Sequence, residues 1–349
     1  MVKRGVEVTV VTYGEMRKCE NTEMRKWSVV WVSKSGGPLL RWWRYSRTLR
    51  EQASDADAVI AFSSVSCGVP LLLSQLKKPK KILRLGGDFL WERYTDRGGR
   101  CALREFYERM PWVHRYIGVS VSALLRTFDH IVFSTRFQEE IYEQQYRKLP
   151  PHSVIENALP AISGQRLAIR TAHQPFRLLW MGRFVEFKNL PALLQAMSDQ
   201  QFATSCTLTL VGEGPLCSEL KALSSQLHTP VSFLSPVSDE EKQRLFADHD
   251  LLILPSLTEI SPNVVLEARA SGLPVLLTQE TGLSEEMQRG MVVRSLSTPT
   301  HIVSALRDVI GRYGDIAAAA ASRPLHRTWE DVTISTLRLL QFLLPPSVR

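Results

Sequence analysis

The sequence predicts an α/β protein made of two doubly wound domains, and three observations support this. Its 349 residues exceed one ordinary domain and fall short of three, so the length favours two units with a cleft between them. In the second half, short β-rich apolar runs alternate with helical patterns at the pace of βαβ units. Those runs, such as Leu251-Leu-Ile-Leu254, lack strict alternation, as strands do when helices cover both faces of a parallel sheet.

Taken in chain order, the first half offers strands at 6–13, 27–33, 57–63, 81–86, 130–134 and 153–156, with helices near 38–53, 67–77, 101–126 and 136–147. The second half offers strands at 176–182, 206–211, 231–235, 250–255, 274–278 and 291–294, with helices near 190–200, 215–227, 239–248, 262–271, 284–289 and 299–311. Local chemistry supports these limits. Ser238-Asp-Glu-Glu241 reads as a capping box, Ser261-Pro262 as an N-cap followed by proline at the first helical position, and Ser271-Gly272-Leu-Pro274 as a glycine stop. A linker is expected from Asn157 to Pro175, dividing residues 1–160 from residues 161–325. A last helix at 329–344 is expected to pack back on the first domain. At the start, Lys3-Arg4-Gly5 reads as the C-terminal turn of a helix with glycine at its left-handed stop. Too little chain precedes it to nucleate that helix, so the segment reads as a disordered stub or as the middle of a longer βα unit.

Composition narrows the classes. With 44% hydrophobic and 22% charged residues, the chain is neither disordered, collagen-like nor a membrane bundle. No apolar run approaches the roughly 18 residues of a spanning helix, and no secretory signal follows Met1, so a cytoplasmic address is expected. Five widely spaced cysteines (Cys19, Cys67, Cys101, Cys206, Cys217) without a CxxC read as free thiols rather than a disulfide framework or a zinc site. Residues 1–160 carry 26 Lys+Arg against 17 Asp+Glu, and residues 161–349 carry 17 against 18. The basic excess therefore lies wholly in the first half.

Three elements of the second half carry chemistry. Gly182-Arg183 ends a strand and Lys188 follows five residues after the arginine; an Arg fork and a Lys point charge suit two adjacent phosphates at a strand C-terminus, though such a pair also fits a solvated surface. Gly212-Glu-Gly214-Pro215 then opens a helix, where glycines permit close backbone approach and the helix N-terminus favours an anion; a plain tight turn fits equally. It lacks the full GxGxxG spacing of a nicotinamide site. Finally, Glu259 follows a buried strand, Ser261, Pro262 and Asn263 lead into a helix, and Glu267 sits in that helix's second turn. A carboxylate among Val264, Val265, Leu266 and Ala268 needs a partner: a ligand, or a salt bridge to Arg269 or another helix.

Together, G-R-x4-K, G-x-G-P and E-x7-E in this order resemble the donor-binding domain of the group 1, family four glycosyltransferases of GT-B fold. That resemblance implies two Rossmann-like domains facing a cleft, no cofactor and no metal, and a nucleotide diphosphate sugar as donor. It implies that Arg183 and Lys188 hold the donor diphosphate, that Glu259 contacts the sugar hydroxyls with the backbone near Pro262 and Asn263, and that Glu267 binds the ribose. Gly182, Gly212, Gly214 and Ser261 would complete the donor site, and transfer would proceed with retention, without an obvious protein nucleophile. The start of the chain resembles the family's second strand, so the first strand and its glycine-rich loop are expected to be missing, through a mis-assigned or truncated start. Gly87-Asp88 stands where many relatives carry a His-Asp pair at the sugar site; Asp88 fits either a sugar contact or a helix cap.

The segment Pro38 to Arg50 mixes Trp42, Trp43 and Tyr45 with four arginines, and Lys77-Lys-Pro-Lys-Lys81 adds charge. This composition suits peripheral contact with an anionic membrane or a lipid-phosphate acceptor, while no nucleic-acid motif accompanies it. The expected function is transfer of a hexose-type sugar to a glycan or glycolipid, in the cytoplasm or at the inner membrane face. The rival reading is a non-catalytic nucleotide-sugar-binding or membrane-docking relative without the acceptor-side loop.

Overall fold

The structure, a computed structural model, describes residues 1–14, 27–158, 168–322 and 327–344. Cys19, and residues 159–167 of the linker expected from Asn157 to Pro175, lie outside the described residues.

The first half begins with a 3-10 turn at Val2–Arg4, closed by Gly5 at φ +81°, so the expected helix end is a single tight turn with a left-handed stop. There follow β1 (Thr9–Tyr13), β2 (Ser28–Val32), α1 (Pro38–Ala53), β3 (Ala58–Ala61), α2 (Gly68–Leu73), β4 (Lys80–Leu85), α3 (Phe89–Thr95), α4 (Leu103–Glu108), α5 (Trp112–Leu125), β5 (His130–Phe133), α6 (Arg136–Gln145) and β6 (His152–Val154). Among the described residues, β1 and β2 form a parallel pair of their own, and β3-β4-β5-β6 form a four-stranded parallel sheet. The long helix expected over 101–126 divides because Pro111 has no N–H to donate and becomes the cap of α5.

The second half runs β7 (Phe176–Arg183), α7 (Leu190–Met197), α8 (Gln200–Ser205), β8 (Cys206–Glu213), α9 (Cys217–Gln226), β9 (Val231–Leu234), α10 (Asp239–Asp248), β10 (Leu251–Leu254), α11 (Asn263–Ala270), β11 (Val275–Thr278), α12 (Glu285–Gln288), β12 (Val292–Arg294), α13 (Pro299–Gly311), α14 (Tyr313–Ala321) and α15 (Trp329–Leu343). Its six strands make one parallel sheet in the order β12-β11-β10-β7-β8-β9. Every residue of β10 and β11 is buried, as unbroken apolar strands require when helices cover both faces. Leu178, Leu179 and Trp180 of β7 are fully enclosed at the centre of this core.

Capping chemistry sets several limits. Ser238 and Glu241 form the reciprocal capping box at the start of α10. The expected cap at Ser261 is corrected: Pro262 occupies the N-cap with φ −77° and ψ 99°, and α11 begins at Asn263. Proline's fixed φ suits this last extended residue, which moves the boundary one place along. Helix α15 returns to the first domain, where Val332, Leu339, Leu340 and Leu343 pack with Ile82 and Val132 of the four-stranded sheet and Ile155 just beyond it.

The two halves meet through loops at the C-terminal ends of their strands. Ile260 is buried in the N-terminal core, with Leu257 and Phe187 packed against it. Thr258 Oγ1 accepts the backbone N–H of Leu103 at 2.9 Å. The loop after β10 is thus clamped against the first domain.

Candidate active site

The site is built where β7 and β8 stop. Their ladder runs in register from Phe176↔Cys206 to Arg183↔Glu213, which sets Gly182 beside Gly212. A Cβ on Gly212, at φ +144°, would lie 1.9 Å from the Gly182 carbonyl oxygen, and one on Gly214 would lie 2.4 Å from that of Phe184. The glycines therefore let the two loops touch backbone to backbone, and this packing alone requires them.

After Arg183 the chain makes a 3-10 turn, Glu186–Lys188, that ends on Asn189 at φ +55°. The Asn189 amide donates to the carbonyls of Pro255 and Leu296, each at 3.1 Å, so the turn is fastened to the end of β10. Lys188 is held over the Phe187 ring at 5.0 Å. Its Nζ donates to Glu259 Oε1 at 2.6 Å, and Ser256 Oγ donates to the same oxygen. Glu259 is 4% exposed. Burial of this carboxylate is tolerable because a cation and a hydroxyl both meet it. Residues 71 positions apart are thereby joined at one strand end.

Glu267 lies one helix turn beyond Asn263. Its carboxylate pairs with Lys242 on α10 at 2.9 Å, so the partner is another helix rather than Arg269. Ser261 and Pro262 line the approach to α11, and the Asn263 side-chain oxygen accepts the Asn157 amide at 2.8 Å. Arg84 of β4 donates in turn to Asn157 Oδ1 at 2.8 Å. The entry to α11 is therefore tied to the N-terminal sheet by a chain of polar contacts.

Across the cleft, the two readings of Asp88 are resolved in favour of the cap. Asp88 is fully buried: Oδ1 accepts the Trp91 N–H at 2.8 Å, and Oδ2 accepts the hydroxyls of Tyr107 at 2.7 Å and Tyr142 at 2.9 Å. Burial raises its pKa, opposed by those hydrogen bonds. An aspartate with both oxygens engaged and no exposed surface anchors α3 and offers nothing to a sugar. Glu92, four residues on, was not anticipated from sequence. Burial and the nearby Asp88 push its carboxyl up to about 7, while the Asp88 backbone N–H and the Arg183 charge draw it down. The only signal in the sequence was a carboxylate one helical turn after the cap.

Residues 175–312 match the family model described as glycosyl transferases group 1. Over 148 residues the chain is 35% identical to EpsF of Bacillus subtilis, covering 41% of this chain and 36% of EpsF. Over 135 residues it is 31% identical to the amylovoran biosynthesis glycosyltransferase AmsK of Erwinia amylovora, covering 36% of this chain and 33% of AmsK. The chain thus spans about a third of the length of these relatives. Among solved structures, the sucrose-phosphate synthase of Thermosynechococcus elongatus superposes with a TM-score of 0.75 over 98% of this chain and 90% of that one, at 15% identity. HepE of Anabaena, solved in complex with UDP-glucose, gives 0.66 over 90% and 85% at 17% identity. The fold is GT-B, two α/β domains with parallel sheets facing a cleft. Over residues 175–312 the chain is similar to the group 1 glycosyl transferases.

Proposed function

We propose that this protein transfers a hexose-type sugar, with retention and without a metal, from a nucleotide diphosphate sugar to a glycan or lipid-linked acceptor. The observation that carries the reading is the Lys188–Glu259 pair at 2.6 Å, set at the strand ends that face the other domain. Arg183 and Lys188 supply the positive charge for a diphosphate, and preorganised cations aimed at a developing negative charge are strong transition-state stabilisers. Glu259, released from Lys188 as the phosphates arrive, accepts hydroxyls of the sugar. Glu267, steadied by Lys242, takes the ribose hydroxyls. The leaving phosphate departs with the bond pair of the broken C1–O bond, and its charge falls on the two cations.

The basic first domain suits an anionic acceptor surface. Leu39, Leu40 and Trp43 of α1 are exposed beside Arg41, Arg44 and Arg47, and Trp112, Tyr116 and Val119 are exposed on α5. Aromatic and cationic side chains of this kind favour peripheral contact with an anionic membrane. No helix among the described residues is long and apolar enough to cross one.

The test is thermal shift and calorimetry with UDP, GDP and ADP compounds on the wild type, Lys188→Ala and Glu267→Ala. One nucleotide class should bind the wild type, and each substitution should weaken it at least tenfold. Affinity unchanged by both substitutions refutes the placement of the donor. Binding without any transfer or donor hydrolysis favours a nucleotide-sugar-binding protein instead.

A further inference from the structure

Helix α3 carries the part of the first domain that faces the donor loop. The Trp91 ring lies 5.0 Å from that of Phe187, whose neighbour is Lys188. Glu92 follows Trp91, and its side chain folds back over the preceding turn. A Cβ placed on Gly87 would meet Glu92 Oε1 at 2.3 Å, so the carboxyl occupies the space that any side chain at position 87 would claim. The Asp88 N–H holds it there. From the sequence, Gly87 reads as the place of a lost histidine; in the fold that place is filled by a carboxyl supplied one helical turn later.

The charges around Glu92 come from every side. Asp88 and Asp96 flank it at the two ends of α3, Tyr142 lies on the α6 side, and the charge of Arg183 at the end of β7 acts on it across the cleft. Asp88 is spent on its three internal donors and Glu259 on Lys188. Glu92 is left as a half-sheltered carboxyl between the enclosed aspartate and the cation assigned to the diphosphate.

We propose that Glu92 is a catalytic residue, the proton acceptor for the acceptor hydroxyl. This rests on the donor reading given above. The acceptor oxygen bonds the anomeric carbon on the face from which the diphosphate departs, as retention requires; the C1–O bond to the diphosphate breaks with its electron pair going to the phosphate oxygen, and the hydroxyl proton passes to the Glu92 carboxylate, which returns it to water. A carboxyl titrating near neutrality is well matched to this task at cellular pH. Binding of the diphosphate to Arg183 offsets the cation that pulls the carboxyl down and makes it a stronger base when the donor is in place.

The test compares the complete protein with Glu92→Gln and Glu92→Asp, using UDP-glucose, GDP-mannose and ADP-glucose as donors and release of the nucleotide diphosphate as the signal. Unfolding midpoints establish that the variants are folded, and Glu92→Asp keeps a carboxyl should Gln disturb the turn. Glu92→Gln should bind donor within threefold of wild type, lose about 100-fold in turnover, and lose the rise of rate with pH through about 7. Glu92→Asp should keep that rise at a reduced rate. A Glu92→Gln protein with wild-type turnover and pH profile overturns the proposal and leaves the donor reading standing. So does a variant whose whole defect is donor affinity. Lys188→Ala and Glu267→Ala both binding donor as well as the wild type overturn the donor reading and this proposal with it, whereas a wild type that binds donor and never releases nucleotide leaves the donor site standing and overturns transfer and this proposal.

Discussion

Lys188 and Glu259 show how much one buried pair can decide. Their side chains are 16% and 5% exposed, so removing the cation strands a carboxylate where water reaches it poorly. Lys188→Ala should cost about 3 kcal/mol of stability in urea denaturation in addition to its loss of donor binding. Lys188→Met with Glu259→Gln should recover most of that stability while remaining unable to bind, which separates the two effects. Glu92 makes a second prediction through pH. Its carboxyl stands near 7 in the fold and at the ordinary value near 4.5 when unfolded, so the folded state holds more protons between the two. The contribution is complete below about pH 4.5 and is lost as pH rises through 7, amounting to about 3 kcal/mol by pH 8. Stability of Glu92→Gln relative to the wild type should therefore grow by that amount from pH 4 to pH 8. A difference that stays flat with pH would show that Glu92 is not so raised.

At the scale of elements, the strand ends and caps hold the site in place. Gly212→Ala sets a methyl 1.9 Å from a backbone oxygen at a left-handed φ; both strain and overlap oppose it, and a loss of about 3 kcal/mol is expected by denaturation. Ser238→Ala removes one half of the capping box of α10 and should cost about 1 kcal/mol. Because α10 also carries Lys242, the same change should weaken nucleotide binding through Glu267 by a few-fold, measurable by calorimetry. Strand positions in the second domain were legible from sequence because each is a short apolar run closed by glycine or a helix cap. The helices α3 and α14 were not: α3 is seven residues long and begins on a buried aspartate, and α14 is an alanine run whose helical preference has no amphipathic period to mark it. Pro111 was visible, yet its effect of splitting α4 from α5 depended on where the surrounding chain had to turn.

For the whole molecule, the loop after β10 joins the domains through Ile260 and Thr258. Ile260 is 6% exposed and buried in the core of the opposite domain. Ile260→Ala should cost about 3 kcal/mol and loosen the clamp on the loop that carries Glu259. Small-angle scattering should then show a larger radius of gyration, and hydrogen exchange should rise in the segment 255–263 and in α4. Unchanged scattering and exchange would mean that the remaining contacts, among them Thr258–Leu103, Trp91–Phe187 and the Arg84–Asn157–Asn263 chain, suffice to hold the halves together.

Composition, period and capping residues determined the α/β class and the parallel sheet of the second half, because these depend on neighbours within a few residues or on spacing along one unit; the donor roles of Arg183, Lys188, Glu259 and Glu267 are implied only by the family resemblance of their motifs. Tertiary structure alone decided which charges meet. It closed Lys188 onto Glu259, gave Glu267 to Lys242, enclosed Asp88 and placed Glu92 over Gly87 where the charge of Arg183 acts on it. The reason is physical: burial and charge pairing act through space, and the distance between residues on separate strands and domains is set only when both cores have packed.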